Sequence, residues 1–409
     1  MTKNAKIFVV DDDAGFVKLA SSILAAANYD VISETSSDAA MSRIEDEKPD
    51  CVLIDIMMPG KDGLELCHEI KTNKNIPALK IVIVSAKTYE FDRKRAFELG
   101  ADGFINKPID AKSFILALSE ILEDNITLAF WGVRGTLPVA GERSLRYGGN
   151  TSCVSMEFVR GDFFIFDAGS GIKELSNHLL ASSRANIEAK IFISHPHWDH
   201  INALPFFVPL YIQGNEFEIL GAANADRSMR ELISAQMDGV YFPITLKEFA
   251  SRVYFRDLRE ETIEFGDIVV KTMLLSHPGY CLGYRIEYHG RSICYITDNE
   301  LFLESDPSHN PSYVEKLADF VRGTETLITD CTYMNDEYET KVGWGHSCVS
   351  QVVDLADRAE VKNLYLFHHD PDQDDKAIDK KFKLAQAELK KRKSSTNCFA
   401  PKEGDVLRL

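Results

Sequence analysis

The segment Ile191–His200, which reads IFISHPHWDH, constrains this chain more than any other stretch of ten residues. Directly after an apolar run it places four side chains of metal-binding type within six positions: His195, His197, Asp199 and His200. An extended IFIS stretch puts the first two histidines on one side of the chain, and a helical turn brings the Asp199-His200 pair towards a second position. Because imidazole and carboxylate suit zinc, manganese and iron, the segment predicts a site for two ions without naming the metal.

Residues 126–409 contain further motifs that belong with this segment. Three are short segments: Phe130–Pro138 (FWGVRGTLP), Tyr147–Val154 (YGGNTSCV) and Phe166–Gly171 (FDAGSG). Four are single residues in characteristic settings: His277 in LLSHPGY, Asp298 in YITDNE, His346 in GWGHS and His368 in LYLFHHDP. With the His-x-His-x-Asp-His segment, they resemble the metallo-β-lactamase fold hydrolases, in particular the phosphodiesterase and tRNase Z-like branch.

This resemblance implies an αββα sandwich that holds two metal ions. The implied ligands are His195, His197 and His277 for the first ion, Asp199, His200 and His368 for the second, and Asp298 as the bridge between them. His369 directly follows His368 and competes with it for the last position. Zinc is the expected metal, with manganese and iron as alternatives. Asp167 is expected to organise the surrounding loops rather than bind metal.

The same resemblance implies a metal-dependent hydrolase in which His346, Asp298 and Asp199 are catalytic. His346 corresponds to the histidine that protonates the leaving group, a role suited to a side chain with a pKa near neutrality. Redox members of the fold replace the second ligating histidine with a carboxylate. Because His197 keeps the hydrolase pattern, we expect hydrolysis rather than electron transfer.

The first third of the chain is organised differently. Short apolar strands end in polar groups at Asp11-Asp12-Asp13, at Asp55, at Ser85 and shortly before Lys107, with helical patterns between them. Alternating strands and helices predict a parallel α/β sheet, whose sites lie at the carboxyl ends of its strands.

These residues resemble the response-regulator receiver domain, a doubly wound five-stranded parallel sheet. The resemblance implies that Asp55 accepts a phosphoryl group and that a sensor histidine kinase or phosphotransfer protein supplies it. It further implies the following roles: Mg²⁺ binding by Asp11, Asp12, Asp55 and the backbone carbonyl of Met57, phosphoryl binding by Ser85 and Lys107, and a switch role for Phe104. Oxygen ligands are the ones that Mg²⁺ prefers.

The predicted domains are a receiver at 1–122, a linker at 123–125 and a hydrolase domain at 126–409. Three residues are too few for a flexible tether, so we expect phosphorylation of Asp55 to control the hydrolase. The sequence is compatible with a homodimer. The opening MTKNAKIFVV is predicted to be a strand rather than a signal peptide, and no run is long enough to span a membrane, so we expect a cytoplasmic protein.

Charge bears on the substrate. The chain has 46 Lys and Arg against 63 Asp and Glu, a net charge of −17, and both predicted domains are acidic. Long nucleic acids require a basic surface, so a small or cyclic phosphodiester is the expected substrate. The alternatives are an RNA-processing nuclease or a lactonase of the same fold, and a non-enzymatic binding module controlled by phosphorylation.

Overall fold

The computed structural model describes residues 5–73, 76, 79–86, 89–182, 186–224, 226–240 and 242–409, with the side chain of residue 90 left aside. Residues 1–4 of the predicted opening strand therefore lie outside the described part. The chain forms two compact units: Met1–Ile126 with Phe158–Asp162, and Thr127–Glu157 with Phe163–Leu409.

The first unit alternates strands and helices. They are β1 (Lys6–Val10), α1 (Ala14–Ala26), β2 (Asp30–Glu34), α2 (Ser37–Glu47), β3 (Cys51–Ile54), α3 (Gly63–Thr72), β4 (Lys80–Ser85), α4 (Glu90–Glu98), β5 (Gly103–Asn106) and α5 (Ala111–Glu123). The strands form one parallel sheet in the order β2-β1-β3-β4-β5. Because α5 continues to Glu123, it includes the first residue of the predicted linker.

Helices cover both faces of this sheet because successive strand residues point to opposite sides. Phe8 and Val10 pack with α2, α3 and α4, whereas Ile7 and Val9 pack with α1 and α5. The arrangement confirms the predicted doubly wound receiver fold and places the carboxyl ends of β1, β3 and β4 side by side.

The rest of the chain supplies two seven-stranded sheets. Its strands are β6 (Ile126–Gly132), β7 (Cys153–Phe158), β8 (Phe163–Phe166), β9 (Glu188–Ile193), β10 (Glu216–Ala222), β11 (Arg252–Leu258), β12 (Thr262–Phe265), β13 (Ile268–Leu274), β14 (Leu282–Tyr288), β15 (Arg291–Ile296), β16 (Thr326–Asp330), β17 (Asn363–Phe367), β18 (Asn397–Phe399) and β19 (Val406–Arg408). One sheet has the order β11-β10-β9-β8-β7-β6-β19, and the other runs from β12 to β18 in chain order.

Helices of this unit lie between its strands in the sequence. They are α6 (Ile172–Ala181), α7 (Trp198–Ile201), α8 (Met229–Gln236), α9 (Pro311–Val321), α10 (Asn335–Tyr338), α11 (Val349–Arg358) and α12 (Asp375–Arg392), with short 3₁₀ turns at Glu142–Ser144, Leu204–Phe206, Val208–Tyr211 and Leu246–Glu248. Among the described residues, no helix combines the length and apolarity needed to cross a bilayer.

Aromatic side chains fill the space between the two sheets. Phe166 and Phe192 of one sheet meet Tyr284 of the other, with ring centroids 5.8 and 5.3 Å apart. On the outer faces, α6 and α8 cover the first sheet, and α9, α11 and α12 cover the second. This confirms the predicted αββα sandwich.

Candidate metal centre

The candidate ligands follow the carboxyl ends of strands that share one edge of the sandwich. β9 leads into the loop with His195 and His197, which then enters α7. In the other sheet, β13, β15 and β17 run in the same direction and lead to His277, Asp298 and His368. Ligands from distant parts of the sequence therefore converge by strand adjacency.

Three polar residues that come after β8, β15 and β17 have left-handed backbones. The φ angles are 59° at Asp167, 45° at Asp298 and 58° at His368. Such angles are uncommon outside glycine, although Asp and His tolerate them better than most residues. Each of these residues lies just after a strand, and unusual backbone angles of this kind are typical of residues held for function.

The Asp298 carboxylate stands between two groups of ligands. Its Oδ2 lies 3.5 Å from His195 Nε2 and 3.7 Å from His277 Nε2, and the latter lies 3.2 Å from His197 Nδ1. Its Oδ1 faces the other way. The two oxygens of one buried carboxylate are thus divided between two candidate sites.

The second group surrounds Oδ1 of Asp298. This oxygen lies 3.2 Å from His200 Nε2 and 3.1 Å from His368 Nε2. Asp199 Oδ2 completes the group at 3.2 Å from His200 Nε2 and 3.1 Å from His368 Nε2. The Thr136 amide donates to the same Asp199 oxygen at 2.7 Å and so fixes its position.

Six imidazoles form a closed circuit at this edge of the sandwich. Neighbouring ring centroids are 4.3–5.3 Å apart in the order His195, His197, His277, His346, His368, His200 and back to His195. His346 therefore stands between the two groups, beside one ligand of each.

Side chains and carbonyls behind the ligands hold the outer nitrogens of the rings. His200 Nδ1 donates to Asp167 at 2.7 Å, and His277 Nδ1 donates to the Gly345 carbonyl at 2.9 Å. His368 Nδ1 lies 3.1 Å from the Thr332 hydroxyl. Such partners fix the orientation of each ring and leave Nε2 free to face the centre.

Asp167 is fully buried behind the metal-facing atoms of the site. Besides His200 it accepts hydrogen bonds from the Ser194 amide at 2.7 Å, the Ser194 hydroxyl at 2.9 Å and the Tyr295 hydroxyl at 2.8 Å. These donors engage both of its carboxylate oxygens. It does not belong to either group of candidate ligands.

Burial and neighbouring charges shift the pKa values of the candidate ligands in different directions. Burial lowers the pKa values of His195, His197 and His277, so their imidazoles are neutral near pH 7. Burial by itself would raise the pKa values of Asp199 and Asp298, but the surrounding imidazoles hold both well below the usual range. Burial lowers the pKa of His200 too, but the carboxylates around it outweigh that effect and raise its pKa well above the usual range, so metal binding there would displace a proton.

His346 pairs with Asp330, a residue that the sequence interpretation missed. His346 Nδ1 lies 2.9 Å from Asp330 Oδ2. Burial lowers the pKa of His346, but the Asp330 carboxylate outweighs that effect and raises it to about 9. Asp330 also accepts hydrogen bonds from the Thr332 amide and the Asn299 amide. The sequence does contain a signal that could have identified Asp330. Like Asp298, it is a carboxylate at the end of an apolar strand.

His369 has a different environment from His368. It is fully buried, and its Nδ1 lies 3.3 Å from the ammonium group of Lys381. Lys381 is also buried and donates to the carbonyls of Cys331 and Thr332. His369 therefore supports the end of β17 and takes no part in the groups of candidate ligands found among the described residues.

Polar residues also meet at the carboxyl edge of the first unit's sheet. Lys107 Nζ bridges the carboxylates of Asp11 and Asp55 at 2.6 and 2.8 Å. Burial lowers the pKa of Lys107, but these two bonds outweigh it and raise the pKa. Met57 donates its amide to Asp55 at 2.5 Å while 63% of the residue is exposed, so only its backbone faces the cluster.

The remaining receiver residues lie around this cluster. Ser85 is buried at the end of β4, and Asp12 is exposed beside Asp11. Phe104 is partly buried and packs against the core next to α2, α3 and α4. The predicted phosphoacceptor and its neighbours therefore occupy one edge of one sheet.

Family comparison agrees with both halves of the fold. Residues 163–369, just over half of the chain, match the Beta-lactamase superfamily domain. The chain belongs to the beta-lactamase superfamily. Residues 7–119 match the Response regulator receiver domain, so this superfamily member carries a fused receiver, as the sequence resemblance predicted.

Solved structures resemble the beta-lactamase superfamily unit. The metallo-beta-lactamase fold protein YhfI of Bacillus subtilis is 18% identical, with a TM-score of 0.50, over 70% of this chain and 100% of its own. Unliganded yeast PDE1 is 13% identical, with a TM-score of 0.53, over the same shares. At these identities the likeness shows the fold alone.

A curated relative matches the receiver. The alkaline phosphatase synthesis transcriptional regulatory protein PhoP of Bacillus subtilis is 36% identical over 119 residues, which is 29% of this chain and 49% of PhoP. The chain thus spans about half the length of this relative. A receiver domain implies interaction with a phosphodonor such as a histidine kinase.

The beta-lactamase superfamily fold implies two bound metal ions, and the residues present fit them. Ligand atoms of a tetrahedral zinc with bonds of about 2.0–2.1 Å stand about 3.4 Å apart. The observed donor separations of 3.1–3.7 Å match that spacing. Within the described part of the chain, the buried Nε2 atoms of His195 and His200 have no hydrogen-bond partner, as expected for nitrogens that coordinate metal.

Proposed function

We propose that this protein is a response regulator whose output domain is a dinuclear metal-dependent phosphodiesterase for a small or cyclic phosphodiester. The observation that carries the proposal is the division of the Asp298 oxygens between two ligand groups, with His346 beside both. A purely structural zinc site is closed by four ligands and needs no shared carboxylate.

In this proposal, His195, His197 and His277 hold one ion, and Asp199, His200 and His368 hold the other, with Asp298 shared. Zinc is the expected metal, and manganese and iron are the alternatives. Two ions bound so close together would activate water and neutralise charge on a phosphoryl group.

His346 is proposed to protonate the leaving oxygen. Its Nδ1 is held by Asp330 at 2.9 Å, so Nε2 is the nitrogen available to a bound substrate. Its ring lies 5.3 Å from His277 and 5.0 Å from His368, centroid to centroid, so a group bound between the two ligand sets lies next to it. A histidine placed this way supplies the proton that a poor leaving group requires.

Solvent access favours a substrate that enters from one side. His195 and His200 are fully buried, whereas His197 is exposed. The net charge of −17 disfavours long nucleic acids, because phosphate contacts with a basic surface dominate their binding. A small phosphodiester can approach from the exposed side at His197 and does not require an extended basic surface.

The receiver is proposed to control this activity through phosphorylation of Asp55. In this proposal, Asp11, Asp12, Asp55 and the Met57 carbonyl hold Mg²⁺, while Ser85 and Lys107 bind the phosphoryl oxygens. Mg²⁺ and a lysine ammonium neutralise the charge on a transferring phosphoryl group. A sensor histidine kinase or phosphotransfer protein is the proposed donor.

The proposed function is tested by a substrate screen of the metal-loaded full chain. The substrates are bis(4-nitrophenyl) phosphate, 3′,5′-cyclic AMP, a short RNA with an unprocessed 3′ end, and a lactone. We expect turnover of the aryl and cyclic phosphodiesters, and its loss in Asp298→Ala. Preferential cleavage of the lactone or the RNA, or no turnover of any phosphodiester with two ions bound, would refute the proposal.

A further inference from the structure

The segment Tyr338–His346 carries an exposed indole two residues before the proposed acid. Trp344 is 60% exposed, although tryptophan is on average a highly buried residue. Trp131 shows the ordinary pattern, since it is partly buried and its indole N–H donates to the Ser155 hydroxyl. The exposure of Trp344 therefore calls for an explanation in terms of what its ring can contact.

The Trp344 ring is oriented by a chain of contacts that leads back to His346. The ammonium group of Lys341 lies 5.0 Å from the Trp344 ring centroid and 5.0 Å from that of Tyr333. The Tyr333 ring in turn meets His346 edge-on, with centroids 5.9 Å apart. Cation–π contact on a ring restricts its orientation, so Lys341 restrains the indole and links it, through Tyr333, to His346.

The backbone on each side of Trp344 is fixed to the metal centre. The carboxylate of Glu300, two residues after Asp298, accepts hydrogen bonds from the amides of Gly343 and Gly345, both at 2.7 Å. The Gly345 carbonyl accepts from His277 Nδ1 at 2.9 Å.

Gly345 permits this close approach. Its φ is +87°, and a Cβ there would lie 2.3 Å from His277 Nδ1. A glycine is required for the segment to lie so near the ligand. Trp344 therefore projects from a short segment held by its neighbours on both sides, and the ring is preorganised rather than loosely attached.

We propose that Trp344 is a stacking platform for a planar ring on the leaving-group side of the substrate, and that this ring is a nucleobase. The inference rests on the proposed function, because His346 marks the leaving-group side only if it protonates the leaving oxygen. An exposed, oriented indole offers an apolar face to which a base adds stacking that a bare sugar phosphate lacks.

Binding measurements on the metal-loaded full chain test this inference without relying on turnover. The probes are AMP and ribose 5-phosphate, which share the sugar phosphate and differ in the base. Their dissociation constants would be measured by isothermal titration calorimetry. We expect AMP to bind more tightly, and Trp344→Leu to weaken AMP by roughly 5- to 100-fold while leaving ribose 5-phosphate unchanged, in line with stacking on an aromatic side chain. Trp344→Phe should retain most of the preference.

Trp198→Leu is the matched control, because Trp198 is a 78% exposed indole directly after His197. It should leave the ratio of the two dissociation constants unchanged. An unchanged ratio in Trp344→Leu, or an equal loss in Trp198→Leu, would overturn the inference; metal content and circular dichroism verify that each variant is folded. If AMP is preferred through Trp344 but no phosphodiester is cleaved, the proposed function fails and the nucleobase platform stands.

Discussion

Single residues determine whether the centre can hold metal. His200, His277 and His368 each have the outer nitrogen engaged by a partner and the inner nitrogen turned towards Asp298 or its neighbours. Within the described part of the chain, Asp298 is the carboxylate that belongs to both groups. We therefore expect the proposed two-ion site to depend on this residue more than on any single imidazole.

Asp298→Ala should reduce bound transition metal from about two ions per chain to one or fewer and abolish turnover. Loss of the shared carboxylate removes the charge that offsets the repulsion between two cations at short distance. Elemental analysis of the purified variant measures the outcome. Asp319→Ala, which removes an exposed carboxylate of α9, is the control and should keep both ions. Full metal content with wild-type turnover in Asp298→Ala would contradict the shared-ligand assignment.

His346→Ala should keep both ions and lower kcat by about 10²- to 10⁴-fold for a substrate with an alkyl leaving group. With a 4-nitrophenyl leaving group the loss should be much smaller, since that group departs without a proton. Steady-state kinetics on both substrates measures the two losses in kcat and shows whether they differ. Equal losses, or loss of metal, would mean that His346 is a ligand or a structural residue.

The sequence revealed the ligands more readily than their partners. His195, His197, Asp199 and His200 share one short segment, so their spacing is visible without a structure. Asp330 lies 16 residues from His346, and Tyr295 lies 128 residues from Asp167. Such pairs form only after strands are ordered side by side, and nothing in the local pattern indicates that order.

At the scale of elements, hydrogen bonds between the segments that follow the strands help to shape the candidate metal centre. The segment Tyr338–His346 belongs to no strand, yet it is tied to the end of β15 through Glu300. That carboxylate accepts from the Tyr338 hydroxyl at 2.8 Å and from the amides of Gly343 and Gly345. One buried side chain thus sets the position of the segment.

Glu300→Gln should displace this segment, because the new amide group places a donor against backbone N–H groups that need an acceptor. Hydrogen bonds to buried charged groups are worth about 1.5–3 kcal/mol each, so we expect a lower unfolding temperature. We also expect a smaller version of the leaving-group effect of His346→Ala, with metal content preserved. Thermal unfolding and kinetics on the two substrates measure these effects.

Tyr338→Phe is the graded control for Glu300→Gln, since it removes one of the three donors and leaves the two backbone bonds in place. Its effects should be smaller in both measurements. A Glu300→Gln protein with wild-type kinetics on the alkyl substrate would show that the segment holds its position without this carboxylate.

The first residues of two helices show how accurately apolar periodicity alone locates the start of a helix. Apolar residues at helical spacing begin at Phe16, whereas α1 begins at Ala14 because Asp13 caps it by accepting from the amides of Gly15 and Phe16. Helix α8 likewise begins at Met229, directly after Ser228, because the side chains of Ser228 and Glu231 form a capping box there. In both cases the cap, rather than the apolar pattern, determines the first residue.

At the scale of the whole molecule, two units with separate chemistry share one chain. The helix α5 ends at Glu123 and β6 begins at Ile126, so the covalent connection is very short. A phosphoryl group at Asp55 would draw Lys107 and Ser85 towards it and bias a two-state packing of the receiver. Because the connection is so short, we expect a shift of α5 to be transmitted to β6 rather than absorbed by the linker.

Treatment with a small phosphoryl donor and Mg²⁺ should add one phosphoryl group at Asp55, and none in Asp55→Asn. We expect phosphodiesterase activity or oligomeric state to change in the wild type only. An allosteric coupling of about 1–3 kcal/mol corresponds to a change of roughly 5- to 150-fold. Mass spectrometry, kinetics and light scattering measure these quantities. A phosphorylated protein with unchanged rate, affinity and oligomeric state would mean that the receiver recruits a partner instead.

The antiparallel pairing of β6 with β19 brings Thr127 opposite Arg408, so the polypeptide enters and leaves the metal-binding domain at adjacent points. A domain with neighbouring ends can be closed into a circle by a short peptide and reopened at an exposed loop without breaking either sheet. Circular permutation should therefore allow the receiver to be grafted onto a different loop of the sandwich. If the proposed control by phosphorylation holds, the direction from which the signal reaches the candidate metal centre would then become a variable that can be engineered.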